Sequence, residues 1–157
     1  MSTYAAYHQD ARNKATHFVG VPVIVLALMI PLSWLRLEGV TAAMVITAAL
    51  LAYYLALDLW LGLAMCVVMG ALLWIAQLLA DQGAFAGWIW FAILFVGGWI
   101  LQLVGHVFEG RKPALADNLF QIFVAPIFLC AELFFALGYK PQLHSAVQER
   151  ARRLRAA

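Results

Sequence analysis

Charge is scarce in this chain, and its scarcity settles the class of protein before any motif is found. Only 11% of the residues are Asp, Glu, Lys or Arg, against 66% hydrophobic ones, and the mean hydropathy is +0.89. A soluble domain of 157 residues carries far more charge, so the chain reads as an integral membrane protein. The formal net charge of +2 and a nearly uncharged middle exclude a nucleic-acid binder. Cysteine is scarce too: Cys66 and Cys130 both fall inside apolar runs, which excludes a disulfide framework. Internal repeats, low-complexity tracts, Walker loops, Rossmann glycines and serine-nucleophile elbows are all missing. No cleaved signal is expected, because the first apolar run is long, has no small-residue cleavage site and is followed by others. The chain is expected to form one membrane domain, 1–157.

What is there is a series of apolar runs. The first covers about Phe18 to Leu35, long enough for a hydrocarbon core of ~30 Å, with Pro22 near its start. Arg36, Glu38 and Gly39 make a turn. A second run goes from Val40 to Leu57 and a third from Leu59 to Ala80, separated by Asp58, where Tyr54 and Trp60 suit a membrane interface and a tight hairpin. After a polar connection from Asp81 to Gly87, a fourth span runs from Trp88 to Val104. A fifth run, Leu119 to Leu137, contains Pro126 and is expected to break into a re-entrant pair. Beyond it, Leu143, Val147 and Leu154 recur at helical spacing among four arginines, the pattern of a basic amphipathic helix on an anionic surface. The expected fold is therefore all-α: a polytopic membrane helical bundle of four transmembrane helices, a fifth Pro-broken segment and a basic amphipathic C-terminal helix.

The few polar residues fall into stripes. If the fourth helix continues to Glu109, Gln102, His106 and Glu109 stand at i, i+4 and i+7 on one face, with Gly98 and Gly105 on the same side to admit a close neighbour. Near the start, Asp10 is a plausible N-cap, and Asp10, Asn13 and His17 share a face. His8 lies nine residues before His17, so it must precede the helix and fold back if the two rings are to meet. A further stripe, Asn118, Gln121, Ala125, Phe128 and Glu132, places a carboxylate deep among apolar residues, where it is costly unless protonated or paired. Asp117 can cap that helix, and His144 reads as an interfacial residue of the tail.

Counting crossings brings some of these groups together. Four spans separate His17 from His106, so both emerge on the same membrane face. Arg12, Lys14, Arg111 and Lys112 make that face cytoplasmic by the positive-inside rule. Three histidines, one or two acids and an asparagine on one face suit a non-haem iron or zinc site with open positions. Two readings of another class stay open. His17 and His106 could be the axial ligands of a haem-binding electron carrier, or Gln102, His106, Glu109 and Glu132 a metal-free polar relay in a transporter or structural protein.

Taken together, Tyr4-Ala-Ala-Tyr7-His8, Asn13, His17, Gln102, Gly105-His106, Phe108-Glu109, Arg111, Pro113-Ala-Leu115, Asp117-Asn118, Ala125-Pro126, Glu132 and Gly138-Tyr139 carry a resemblance over nearly the whole chain. The chain resembles the family of small membrane proteins that includes the fungal endoplasmic-reticulum 2-hydroxy fatty acid dioxygenase. The resemblance implies an Fe(II)-dependent alpha-oxidation, in which dioxygen and a 2-hydroxy fatty acid give the acid one carbon shorter and carbon dioxide. It maps the family's histidine motifs onto His8, His17 and His106 as iron ligands, with Glu109 or Glu132 as further metal-binding or catalytic groups. Asn13, Gln102, Asp117 and Asn118 would orient the ligands, and Arg111 or Lys112 would meet the substrate carboxylate. The expected setting is the inner membrane of a bacterium or the endoplasmic reticulum of a eukaryote, with the site facing the cytoplasm.

Overall fold

The computed structural model describes residues 1–110 and 120–156. Seven helices account for most of them: α1 (Ser2–Ala6), α2 (Ala11–Leu32), α3 (Ala42–Leu57), α4 (Leu59–Ala80), α5 (Ala84–Glu109), α6 (Gln121–Ala136) and α7 (Pro141–Ala156). The all-α membrane architecture expected from the sequence holds. By length and composition α2, α4 and α5 can cross a membrane, while α3 and α6 are shorter apolar helices. At 1.5 Å per residue, the 16 residues of α3 or α6 extend only about 24 Å.

The helices form two compact units, Met1–Phe18 with Leu101–Ala157 and Val19–Ile100. The second unit is built around the hairpin of α3 and α4. Asp58 leaves the helical conformation, and its carboxylate accepts hydrogen bonds from the Trp60 and Leu61 amides, which explains one charge between two apolar runs. The helices approach closely at Gly62, where a β-carbon would lie 2.7 Å from the Leu55 Cα. The same need for room recurs on α5: a β-carbon at Gly98 would lie 2.6 Å from Ile24 and 3.2 Å from the Gly20 carbonyl oxygen of α2. Trp34 donates to the Ala80 carbonyl at 3.2 Å, and Arg36 pairs with Asp81 at 2.6 Å. Large apolar side chains on α4 and α5, among them Val67, Trp74, Ile93 and Val96, remain exposed, a surface suited to lipid.

Several details differ from expectation. The turn after α2 is a small hairpin in which β1 (Arg36–Leu37) pairs with β2 (Val40–Thr41), so α3 starts at Ala42, capped by Thr41. Glu38 and Gly39 take positive φ there, as a two-residue turn matched to strand twist requires. Of the two aromatics expected at an interface, Trp60 is exposed but Tyr54 is fully buried. Helix α5 begins at Ala84 rather than Trp88. Helix α6 runs unbroken through Pro126. That proline sits in the second turn, where its missing N–H removes one backbone bond and its ring crowds only the opening turn.

Candidate metal centre

The first unit gathers the start of α2, the end of α5, and α1, α6 and α7. Asp10 opens α2 as expected: its carboxylate accepts from the Arg12 amide at 2.8 Å. The Arg12 guanidinium beside it holds the Asp10 carboxyl down to about 2. One turn on, Asn13 is completely buried, and a second turn brings His17, whose Nδ1 donates to the Asn13 carbonyl at 2.9 Å. Before the helix, α1 ends at Ala6 and the chain folds back. The His8 ring lies stacked on Tyr4, centroids 3.9 Å apart, and its Nδ1 donates to the Tyr4 carbonyl at 2.7 Å. Phe128 of α6 packs against both rings, 4.8 Å from Tyr4 and 6.3 Å from His8. On α5, His106 completes the group.

The three rings meet edge to face. Their centroids are 4.5 Å apart for His8 and His17, 5.1 Å for His8 and His106, and 5.0 Å for His17 and His106. All three are buried, and one ring nitrogen from each lies within 4.8 Å of the others. A carbonyl oxygen only accepts, so in His8 and His17 the proton sits on Nδ1 and Nε2 keeps its lone pair. The His8 Nε2 is buried with no hydrogen-bond partner. Burial pushes the His8 pKa down to about 3, so the ring is neutral near pH 7. Buried imidazoles whose ring nitrogens lie this close, two of them with the tautomer fixed by a backbone carbonyl, are a donor set that iron or zinc takes, and the residues present fit such an ion.

Glu109 lies one turn beyond His106 and is used differently. Its Oε2 accepts from the Gln9 amide at 3.0 Å, the Asp10 amide at 2.8 Å and the Asn13 side chain at 3.1 Å, and its Oε1 pairs with Arg155 of α7. Its side chain has no exposed surface. Among the described residues the cluster of potential ligand atoms takes in the three histidines but neither Glu109 nor Glu132. Glu132 instead pairs with Lys14 at 2.5 Å. Gln102 is buried with its Nε2 unpartnered, as is Oδ1 of Asn13. Gly105 is where α5 meets this cluster: a β-carbon there would strike Thr16 Oγ1 and lie 2.5 Å from Asn13 Oδ1 and 3.1 Å from His17 Nδ1. Arg111, Lys112, Asp117 and Asn118 lie outside the described residues.

Three participants were given no role at the site by the sequence reading. Tyr4 supplies both a stacking face and a carbonyl to His8, Lys14 partners Glu132, and Arg155 reaches Glu109. Lys14 had a readable signal, since it precedes His17 by three residues on one helix face and a cation there needs a partner. His144, expected at an interface, stacks on Phe135 at 4.8 Å.

Residues 1–137 match the family described as 2-hydroxy-palmitic acid dioxygenase Mpo1-like. The 2-hydroxy-palmitic acid dioxygenase MPO1 of Saccharomyces cerevisiae is 34% identical over 149 residues, a match covering 92% of this chain and 83% of the yeast protein. No solved structure matches. All three clustered histidines fall within the matched stretch, and on the extent of these matches the chain belongs to the Mpo1-like family.

Proposed function

We propose that the protein is an Fe(II)-dependent dioxygenase that shortens 2-hydroxy fatty acids by one carbon. The acid and dioxygen would yield the shorter fatty acid, carbon dioxide and water, so that both oxygen atoms of dioxygen are fully reduced as the substrate loses four electrons. One observation carries this reading: a buried triad of imidazoles in which the His8 and His17 protons are committed to backbone carbonyls and the His8 Nε2 is left unpartnered. The yeast relative's name supplies the substrate class.

His8, His17 and His106 would hold the ion. Ferrous iron, when bound, would supply the affinity for dioxygen that no side chain here provides. The protein's own part is to keep the ligands neutral, fixed and shielded from water. Asn13 does this twice, its carbonyl setting the His17 tautomer and its amide tying Tyr7 to Glu109. Gln102, with its unpartnered Nε2, offers a donor for a substrate oxygen. Arg111 or Lys112 would meet the substrate carboxylate, Asp117 and Asn118 would orient groups around it, and the acyl chain would lie among apolar side chains next to lipid. In this reading Glu109 and Glu132 hold the frame and are not ligands. Two edge-to-face rings in contact at 5.0 Å leave no slot for a porphyrin plane between His17 and His106, which weighs against an axially ligated haem.

The site is proposed to face the cytoplasm, at the inner membrane in a bacterium or the endoplasmic reticulum in a eukaryote. In support, Arg12, Lys14 and the arginines of α7 all belong to the unit that holds the histidines. The direct test supplies purified, iron-loaded protein with 2-hydroxypalmitate and oxygen. Pentadecanoate should appear in step with oxygen uptake; iron-loaded protein that leaves the substrate intact would overturn the assignment.

A further inference from the structure

We propose that helix α7 is a working part of the histidine centre, with Arg155 as a positioning residue acting through Glu109. The inference rests on the reading of the three histidines as a metal site. It goes beyond the family model, whose match ends at residue 137, whereas α7 begins at Pro141.

The chain of contacts is short. Helix α7 packs against α1, with Val147 and Ala151 buried. From this platform Gln148 accepts a hydrogen bond from the Gln9 side chain at 3.3 Å, and Arg155 pairs with Glu109. The Glu109 carboxylate in turn accepts both backbone amides that follow His8 and the side chain of Asn13, whose carbonyl fixes His17. One carboxylate thus ties the segments carrying two of the three histidines to the helix carrying the third. That carboxylate has no exposed surface and needs a cation beside it; Arg155 supplies one while keeping about a third of its own side chain in solvent. Arg153 on the same helix pairs instead with Glu149 among exposed side chains, where an ion pair contributes little. The two arginines carry the same charge two residues apart and differ in what they hold.

The experiment compares Arg155→Ala, Arg155→Lys, Arg153→Ala and Glu109→Gln in the full-length protein in detergent. Two readouts are taken: Co(II) affinity from its visible absorption, and amide hydrogen exchange over residues 7–13. Arg155→Ala should weaken Co(II) binding about 10- to 100-fold, the usual cost of losing a group that orients a ligand, and should speed exchange at Gln9 and Asp10. Arg155→Lys should restore most of both, Arg153→Ala should change neither, and Arg155→Ala added to Glu109→Gln should have little further effect. If Arg155→Ala does not fold, Arg155→Gln replaces it with the same expected direction. Wild-type Co(II) affinity and wild-type exchange in the Arg155 variant would overturn the proposal. Should the wild type bind no metal, the metal-site reading falls by itself; accelerated exchange would still uphold the tie through Glu109, and unchanged exchange would overturn it.

Discussion

The two units of this protein treat polar side chains in opposite ways. In the stretch from Val19 to Ile100 most of them are spent on local structure: Ser33 bonds back to the Met29 carbonyl, Thr41 and Asp58 cap helices, and Trp34 and Arg36 tie the end of α2 to that of α4. In the other unit, buried polar atoms of His8, Asn13, Gln102, Gln121 and Glu132 lack hydrogen-bond partners, whereas the first has only those of Thr47 and Gln77 among the described residues. An unsatisfied buried polar atom costs roughly 1–3 kcal/mol, so these atoms do not themselves add stability. Polar residues in one unit serve mostly local structure; in the other they make long-range ties and leave more buried atoms unsatisfied.

Breaking that contrast should be easiest at the histidines. His106→Ala or His17→Ala is expected to abolish Fe(II) binding and pentadecanoate formation, measured by metal analysis and product assay, while the helical circular dichroism is kept. Next comes Gly105→Ala, whose methyl would collide with Thr16 and Asn13. A fall of tenfold or more in metal affinity should accompany a loss of about 1–3 kcal/mol from overpacking. Gly62→Ala tests the other side of the comparison. Its methyl would meet the Leu55 backbone, so a similar loss of about 1–3 kcal/mol in detergent melts should come with unchanged metal affinity in the folded fraction. An affinity loss at Gly62 as large as at Gly105 would erase the distinction. The smallest effect is expected at His144→Ala, which removes a ring stacked on Phe135 and should cost no more than about 1.5 kcal/mol with metal binding intact.

Local signals carried far. Asp58 between two long apolar runs is readable as a cap at a hairpin, and Gly98 and Gly105 as points of close approach, because helix periodicity and backbone chemistry act within a few residues. The count of crossings predicts His17 and His106 on one membrane face, and their rings lie 5.0 Å apart; the nine-residue offset of His8 required the fold-back that the turn after α1 provides. What stayed hidden depends on distance along the chain. Glu132 and Lys14 are 118 residues apart, and Arg155 sits in a tail whose spacing matches a surface helix, so local pattern can show that a charge needs a partner but not which residue supplies it. Pro126 misled for a related reason: proline signals a break, but whether a helix tolerates it depends on how near its end the ring falls. Tyr54 shows the same limit, since an aromatic beside an interface can turn inward to a core.

Helix α1 has only five residues, far below the length at which a helix persists unaided, yet it supplies the carbonyl that orients His8. Its order is borrowed from α6, α7 and the stacked ring of His8. Because His8 follows directly on this turn and takes its hydrogen bond from it, peeling the turn away would carry the His8 ring out of the cluster, so opening of α1 and separation of the imidazoles would be one event. The cluster would in this way open without loosening any of the three helices long and apolar enough to cross a bilayer.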